Sequence, residues 1–132
     1  MLWEFKNAVK KGCKQCKVYL PLDYKIAEDT IVQPDLLVVC QKITKPFLDF
    51  PPVLVAEILS PFTTPRDKNT KFSLYGHQGV LYYLITDTNK KSINIYKLED
   101  GKYELQPYSN GFEFLFTDGC KIAPLLDNIW KD

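Results

Sequence analysis

Apolar residues recur along the first half of the chain with periods that predict one helix and three strands. Residues 2 to about 16 repeat their apolar positions every three or four residues, which is typical of an amphipathic helix. A strand is expected at 17–20, continuing at 24–27. The runs 30–41 and 53–59 are rich in aliphatic residues, so each predicts a largely buried strand.

The second half predicts a helix followed by short strands. Thr64 is a natural N-cap and Pro65 suits the first helical position, so a helix is expected from there to about residue 77, with Gly79 as its terminator. Strands are then predicted at 80–87, 92–98, 103–108 and 112–116, and a short helix that docks on the domain is predicted at 123–130. The order α-β-β-β-α-β followed by further strands indicates a single α+β domain over residues 1–132.

Two carboxylates interrupt the two most aliphatic runs. Asp35 lies in the first run and Glu57 in the second. If the runs pair antiparallel, the register that pairs Cys40 with Pro52 at the run ends also places Asp35 opposite Glu57, with Cβ atoms roughly 4.5–5.5 Å apart. Two converging carboxylates most often bind a hard divalent cation. The alternative is that each acid lies at a solvated strand end with its own basic partner.

Lys71 is the third candidate residue. It lies in the second predicted helix, at the edge of an apolar stripe that includes Leu74 and Tyr75. Helical side chains lean toward the helix N-terminus, so Lys71 is predicted to reach back toward Glu57. A lysine there can hold a phosphate oxygen or orient an attacking water. The alternative is an ordinary i,i+4 ion pair between Asp67 and Lys71.

Composition narrows the class of protein. A hydrophobic content of 45% can fill a core, which excludes a disordered chain. The sequence has no apolar run long enough to span a membrane and no visible secretory signal, so the expected location is the cytoplasm. The net charge of +1 neither supports nor excludes a nucleic-acid partner.

The four cysteines are interpreted as core residues. Cys13 and Cys16 form a single CxxC, and the sequence offers no second pair at the spacing of a structural zinc site. Both lie on the apolar face of the first predicted helix, and Cys40 extends an apolar run, so burial as small hydrophobic residues is the favoured interpretation. The apolar face comprises Phe5, Ala8, Val9, Gly12, Cys13 and Cys16.

The acid-bearing runs and the helix after them form a longer motif that resembles a known family, the restriction endonuclease-like family of the PD-(D/E)XK nuclease superfamily. The resemblance covers roughly residues 18–98. The residues that carry it are Val32-Gln33-Pro34-Asp35-Leu36-Leu37-Val38-Val39, then Val55-Ala56-Glu57-Ile58-Leu59-Ser60-Pro61, then Thr63, Asp67, Lys71, Tyr75, Gly79-Val80, Tyr83 and Asp87.

The resemblance implies a restriction-endonuclease-like core with a mixed β-sheet. It also implies Mg²⁺, with Mn²⁺ as a substitute, held by Asp35, Glu57 and the backbone carbonyl of Ile58. The implied reaction is hydrolysis of DNA phosphodiester bonds, with Asp35, Glu57 and Lys71 as the catalytic residues. Lys71 would replace the motif lysine, because Leu59 stands two residues after Glu57. A homodimer is expected if both DNA strands are to be cut.

The chain departs from the family pattern at its start. Family members usually carry a further helix and hairpin before the position of Met1, and this chain is expected to lack them. That departure keeps a second hypothesis open, in which the domain is a catalytically inactive nuclease fold used for nucleic-acid binding or protein assembly.

Overall fold

The predicted helices and strands are present, and several have different limits. The computed structural model describes residues 1–59, 65–116 and 119–131, with the backbone alone for 65–68 and 131. The helices are α1 (Leu2–Gly12), α2 (Pro65–Gln78) and a C-terminal 3-10 helix (Leu126–Lys131). The strands are β1 (Lys17–Tyr19), β2 (Tyr24–Ala27), β3 (Thr30–Val32), β4 (Leu36–Val39), β5 (Leu54–Ile58), β6 (Tyr82–Asp87), β7 (Ser92–Glu99), β8 (Lys102–Gln106), β9 (Phe114–Leu115) and β10 (Lys121–Ile122).

A six-stranded mixed sheet lies at the centre, in the order β1-β4-β5-β6-β7-β8. Only β5 and β6 run parallel within it, and α2 connects them, as a parallel pair requires a crossover. The strands β2 and β3 form a separate antiparallel hairpin, as do β9 and β10. The α+β class and the α-β-β-β-α-β order are therefore confirmed, with the β2–β3 hairpin inserted between the first two strands of the central sheet.

Both faces of the central strands are buried because a helix covers each one. On β4, Leu36 and Val38 face a core that includes Phe5 and Val9 of α1. The intervening Leu37 and Val39 face a second core that also contains Tyr75 of α2. Alternation therefore assigns each residue of a central strand to one helix or the other.

The apolar run predicted as one strand over 30–41 is broken. It forms β3 and β4, and Gln33, Pro34 and Asp35 lie between them. Pro34 has no N–H to donate to a ladder, which favours an interruption at that point. Asp35 consequently directly precedes its strand and does not lie inside it.

The boundaries of both helices have local causes. Helix α1 ends at Gly12, four residues earlier than predicted, because Cys13 leaves the helical conformation with φ −152° and ψ 74°. Helix α2 begins at Pro65 as predicted, although the Thr64 cap lies outside the described residues. Its C-terminus is closed by the Val80 N–H, which donates to the Tyr75 carbonyl at 3.1 Å, while Gly79 adopts φ +81°.

The cysteines are buried or half-buried, as expected, but they do more than fill space. Cys13 and Cys16 are 1% and 3% exposed. The structure joins Cys13 to Cys120 and Cys16 to Cys40. The sequence interpretation missed this because the partners lie far apart along the chain.

Within the described segments, no helix combines the length and apolar character needed to cross a membrane.

Candidate active site

The pairing of β4 with β5 brings the two interrupting carboxylates together. Leu36 lies opposite Ala56 and Leu37 opposite Val55, which is the register predicted from the ends of the two apolar runs. Extending that ladder by one position places Asp35 opposite Glu57. Two acidic residues that are 22 positions apart in sequence are therefore neighbours at one end of the central sheet.

Asp35 is fixed by the backbone of the neighbouring strand. Its Oδ2 accepts a hydrogen bond of 2.7 Å from the N–H of Ile58. The side chain is half-buried. The next amide, that of Leu59, donates to the Thr86 carbonyl of β6 at 2.8 Å, so the end of β5 is held on both sides. Asp35 thus sits against a rigid strand end, with one carboxylate oxygen positioned by that strand.

Glu57 is the more buried acid, at 9% exposure. It lies on the α2 face of β5, where two side chains of α2 reach it. The Tyr75 hydroxyl donates to Oε1 at 3.1 Å, and the Lys71 ammonium donates to Oε2 in a salt bridge. The predicted reach of Lys71 toward Glu57 is therefore present in the structure. Each oxygen of this carboxylate has its own donor.

Opposing influences act on the Glu57 carboxyl. Burial raises its pKa above the ordinary glutamate value, and the negative charge of Asp35 adds to that increase. Lys71 and the Tyr75 hydroxyl act in the opposite direction, and burial has the larger effect. Burial also raises the pKa of Tyr75, so this residue keeps its proton and acts as a donor. The site therefore holds a carboxylate that positive charge would stabilise.

The sequence analysis missed two contacts of this site. Tyr75 was identified as part of the apolar stripe and of the family motif, and not as a hydrogen-bond donor to Glu57, and the Ile58 N–H was not considered as a donor. Spacing offered a signal for the first, because Tyr75 follows Lys71 by four residues and so lies on the same helix face. The competing Asp67–Lys71 pair involves a side chain outside the described part of the chain, as does the motif residue Thr63.

The donor atoms at this site suit a hard divalent cation. Carboxylate oxygens are the ligands that Mg²⁺ and Mn²⁺ prefer, and each such oxygen has more than one lone pair. The oxygens of Glu57 can therefore accept from Lys71 and Tyr75 and still have lone pairs available for a metal. The residues present fit the implied metal.

Comparisons with known proteins agree with this architecture. Residues 1–119 match the family model Uma2, described as "Putative restriction endonuclease". Uncharacterized protein slr1290 from Synechocystis sp. is 37% identical over 81 residues, which cover 57% of this chain. That match spans 42% of the length of the Synechocystis protein.

A solved structure shares the fold. The crystal structure of a "putative nuclease belonging to DUF820" from Anabaena variabilis ATCC 29413 superposes with a TM-score of 0.69. The superposition covers 89% of this chain and 69% of that chain, at 15% sequence identity. The likeness confirms the predicted nuclease-like α+β fold.

Proposed function

Because the chain belongs to the Uma2 family, described as a putative restriction endonuclease family, we propose that it is a Mg²⁺-dependent nuclease that hydrolyses DNA phosphodiester bonds. The observation that supports this most is the meeting of Asp35 and Glu57 at one sheet end, with Lys71 on Glu57. A structural role alone gives no reason to bury a carboxylate beside a second one, since this costs free energy.

Asp35, Glu57 and the backbone carbonyl of Ile58 are the proposed metal ligands. When bound, the cation supplies Lewis-acid stabilisation of the charge that develops on a phosphodiester during hydrolysis. The Ile58 N–H orients Asp35, and the Tyr75 hydroxyl orients Glu57. Such outer partners fix ligand geometry in metal sites. Mn²⁺ would substitute for Mg²⁺, since both take oxygen ligands.

Lys71 is the proposed cationic catalytic residue. Its side chain is 37% exposed, so the ammonium can contact both Glu57 and a substrate. There it can hold a phosphate oxygen or orient the attacking water, and positive charge at that point stabilises the developing negative charge. It is proposed to replace the lysine expected at Leu59. The cytoplasm is the proposed location, and a homodimer would present two such sites to a duplex.

A second function is favoured by one feature of the site. Both oxygens of Glu57 are engaged by donors from α2. If those contacts persist when DNA and metal are present, the domain would be an inactive nuclease fold that binds nucleic acid or assembles with protein.

Cleavage of supercoiled plasmid and of single-stranded DNA, with Mg²⁺ or with a chelator, tests the proposal. Wild-type protein should cleave only with metal. Asp35→Asn, Glu57→Gln and Lys71→Met should each lower the rate roughly a hundredfold or more. Matched controls are Asp100→Asn in the β7–β8 turn and Glu104→Gln on β8, both exposed.

The outcomes separate the two functions. Metal-dependent cleavage that is lost in the three site variants and kept in the controls supports the nuclease. DNA binding without cleavage at any metal concentration supports the inactive module and overturns the nuclease. Cleavage that persists in both Asp35→Asn and Glu57→Gln would point to a contaminating enzyme and would also overturn the proposal.

A further inference from the structure

The four cysteines of the chain form one sulfur cluster, away from the carboxylate site. The structure joins Cys13 to Cys120 and Cys16 to Cys40, and the Cys13 and Cys16 sulfurs lie 3.3 Å apart. The Sγ atoms of Cys13, Cys16 and Cys120 all lie within 4.8 Å of one another. The two cysteine pairs therefore belong to a single group and are not two independent cross-links.

The backbone at the end of α1 positions the first two sulfurs. After the helix ends at Gly12, the Cys16 N–H donates to the Cys13 carbonyl at 3.0 Å. This turn closes the CxxC segment, so both side chains point to the same place. The Cys13 N–H is in turn held by the Val9 carbonyl at 2.8 Å. Two cysteines are thus oriented by main-chain hydrogen bonds at a helix end.

Strand pairing and a close backbone contact bring in the other two sulfurs. Lys17 lies opposite Val39 in the β1–β4 ladder, so the next pair outward is Cys16 and Cys40. Gly12 packs against the backbone of Lys121, where a Cβ would overlap the Lys121 carbonyl oxygen. Only the absence of a side chain at Gly12 lets the hairpin carrying Cys120 approach α1 this closely.

Positive charge lies beside one member of the cluster, Cys16. Cys16 lines a surface cavity together with four lysines, which are Lys6, Lys10, Lys14 and Lys17. Nearby cations stabilise thiolates relative to thiols. They would also offset the net negative charge of four thiolates around one dication. The lysine-lined cavity beside Cys16 therefore suits a thiolate–metal centre.

We propose that, in the reduced protein, Cys13, Cys16, Cys40 and Cys120 bind one structural Zn²⁺ as a tetrathiolate. Zinc–sulfur bonds of about 2.3 Å in a tetrahedron place the sulfurs just under about 4 Å apart. The Sγ atoms of Cys13, Cys16 and Cys120 lie within 4.8 Å of one another, and Cys40 joins this group through its bond to Cys16. Four cysteine ligands leave no open position, so the role is structural. Soft sulfur ligands select zinc, whereas the oxygens of Asp35 and Glu57 select a hard cation.

Both cysteine pairs must be reduced before zinc can bind. Each cysteine pair takes two electrons and two protons from a dithiol reductant, which becomes a disulfide itself. Zinc then binds the four sulfurs and displaces their thiol protons. The metal would tie together the end of α1, the end of β4 and the β9–β10 hairpin, segments up to 107 residues apart in sequence.

Elemental analysis of the full chain, expressed with added zinc and purified anaerobically with a phosphine reductant, tests the proposal. One zinc per chain is expected. Replacement by Co²⁺ should give the visible absorption of tetrahedral cobalt with intense sulfur charge transfer. Removal of zinc by a chelator should lower the melting temperature and expose all four thiols to alkylation.

Two variants distinguish the site from adventitious zinc. Cys40→Ser should lose the metal or bind it at least tenfold more weakly. Gly12→Ala keeps every thiol but forces the Cys120 hairpin away, so it should also bind zinc more weakly, even if Cys40→Ser fails to fold. Wild-type protein that was expressed with added zinc and purified under reductant, yet carries no zinc and alkylates at all four thiols before any chelator is added, would overturn the proposal. So would iron with acid-labile sulfide, or two disulfides that persist in reductant and exclude zinc.

Discussion

At the residue scale, the decisive feature is a buried glutamate with a donor on each oxygen. Glu57 is held by Lys71 and Tyr75, and the negative charge of Asp35 lies nearby. Burial destabilises the charged form of Glu57, and this raises its pKa. A divalent cation at this point would offset that destabilisation by adding positive charge where two carboxylates converge.

The raised pKa of Glu57 predicts how stability depends on pH. The folded protein binds the proton of the Glu57 carboxyl more tightly than the unfolded chain does, so protonated Glu57 stabilises the fold fully at pH values below the ordinary glutamate pKa of 4.5. This stabilisation is lost as pH rises through the pKa that Glu57 has in the folded protein. In metal-free buffer, the free energy of unfolding of wild type minus that of Glu57→Gln should therefore fall as pH rises from about 4 to about 7.

Urea denaturation of both proteins across that pH range gives the difference directly. Glu104→Gln controls for the loss of one carboxylate from an exposed position on β8. A difference between wild type and Glu57→Gln that stays constant, or rises with pH, would contradict a raised pKa at Glu57.

At the element scale, helix α2 acts as one unit on the end of β5. Lys71 and Tyr75 are four residues apart, so they lie on the same helix face and reach the two oxygens of one carboxylate. The Tyr75 ring also packs edge-on against Tyr83 of β6, with centroids 5.1 Å apart. The parallel β5–α2–β6 unit therefore both positions the acid and supplies its partners.

Tyr75→Phe isolates the hydroxyl, since the ring contacts can remain. It should cost about 1–2 kcal/mol of stability, because a buried carboxylate oxygen loses its donor. Loss of an outer partner of a metal ligand should also weaken metal binding or cleavage about 10–100-fold. Denaturation and cleavage assays on the same preparation give both values.

Tyr103→Phe is the matched control. Its hydroxyl donates to the Val80 carbonyl at 2.6 Å, so its removal should cost similar stability while cleavage stays near wild type. Equal loss of cleavage in both variants would mean that Tyr75 acts only through stability.

At the scale of the whole molecule, the sequence predicted those features of the fold that depend on the local pattern of residues. The β4–β5 register followed from the ends of two apolar runs, and α2 from Pro65 and Gly79. The direction of Lys71 followed from the lean of helical side chains. These features depend on neighbours in sequence or on one strand pairing.

What could not be predicted depends on contacts that are distant in sequence. Cys120 contacts Cys13 only because Gly12 lets a hairpin more than a hundred residues later in the sequence approach α1. The spacing of residues along the chain does not predict such a contact. The break at Pro34 was hidden by the aliphatic residues on both sides of it. Because β3 pairs with β2 in a separate hairpin, the apolar run 30–41 forms two strands, β3 and β4, and not one.

The central claim is that Asp35 and Glu57 form one site for a hard divalent cation. Calorimetric titration of Mn²⁺ and Mg²⁺ into wild type, Asp35→Asn, Glu57→Gln and the control Asp100→Asn tests it most directly. We expect wild type and Asp100→Asn to bind one ion per chain at millimolar concentration or below, and both site variants to lose that binding. Wild type that binds neither ion at millimolar concentration, or undiminished binding in Asp35→Asn and Glu57→Gln, would contradict the claim.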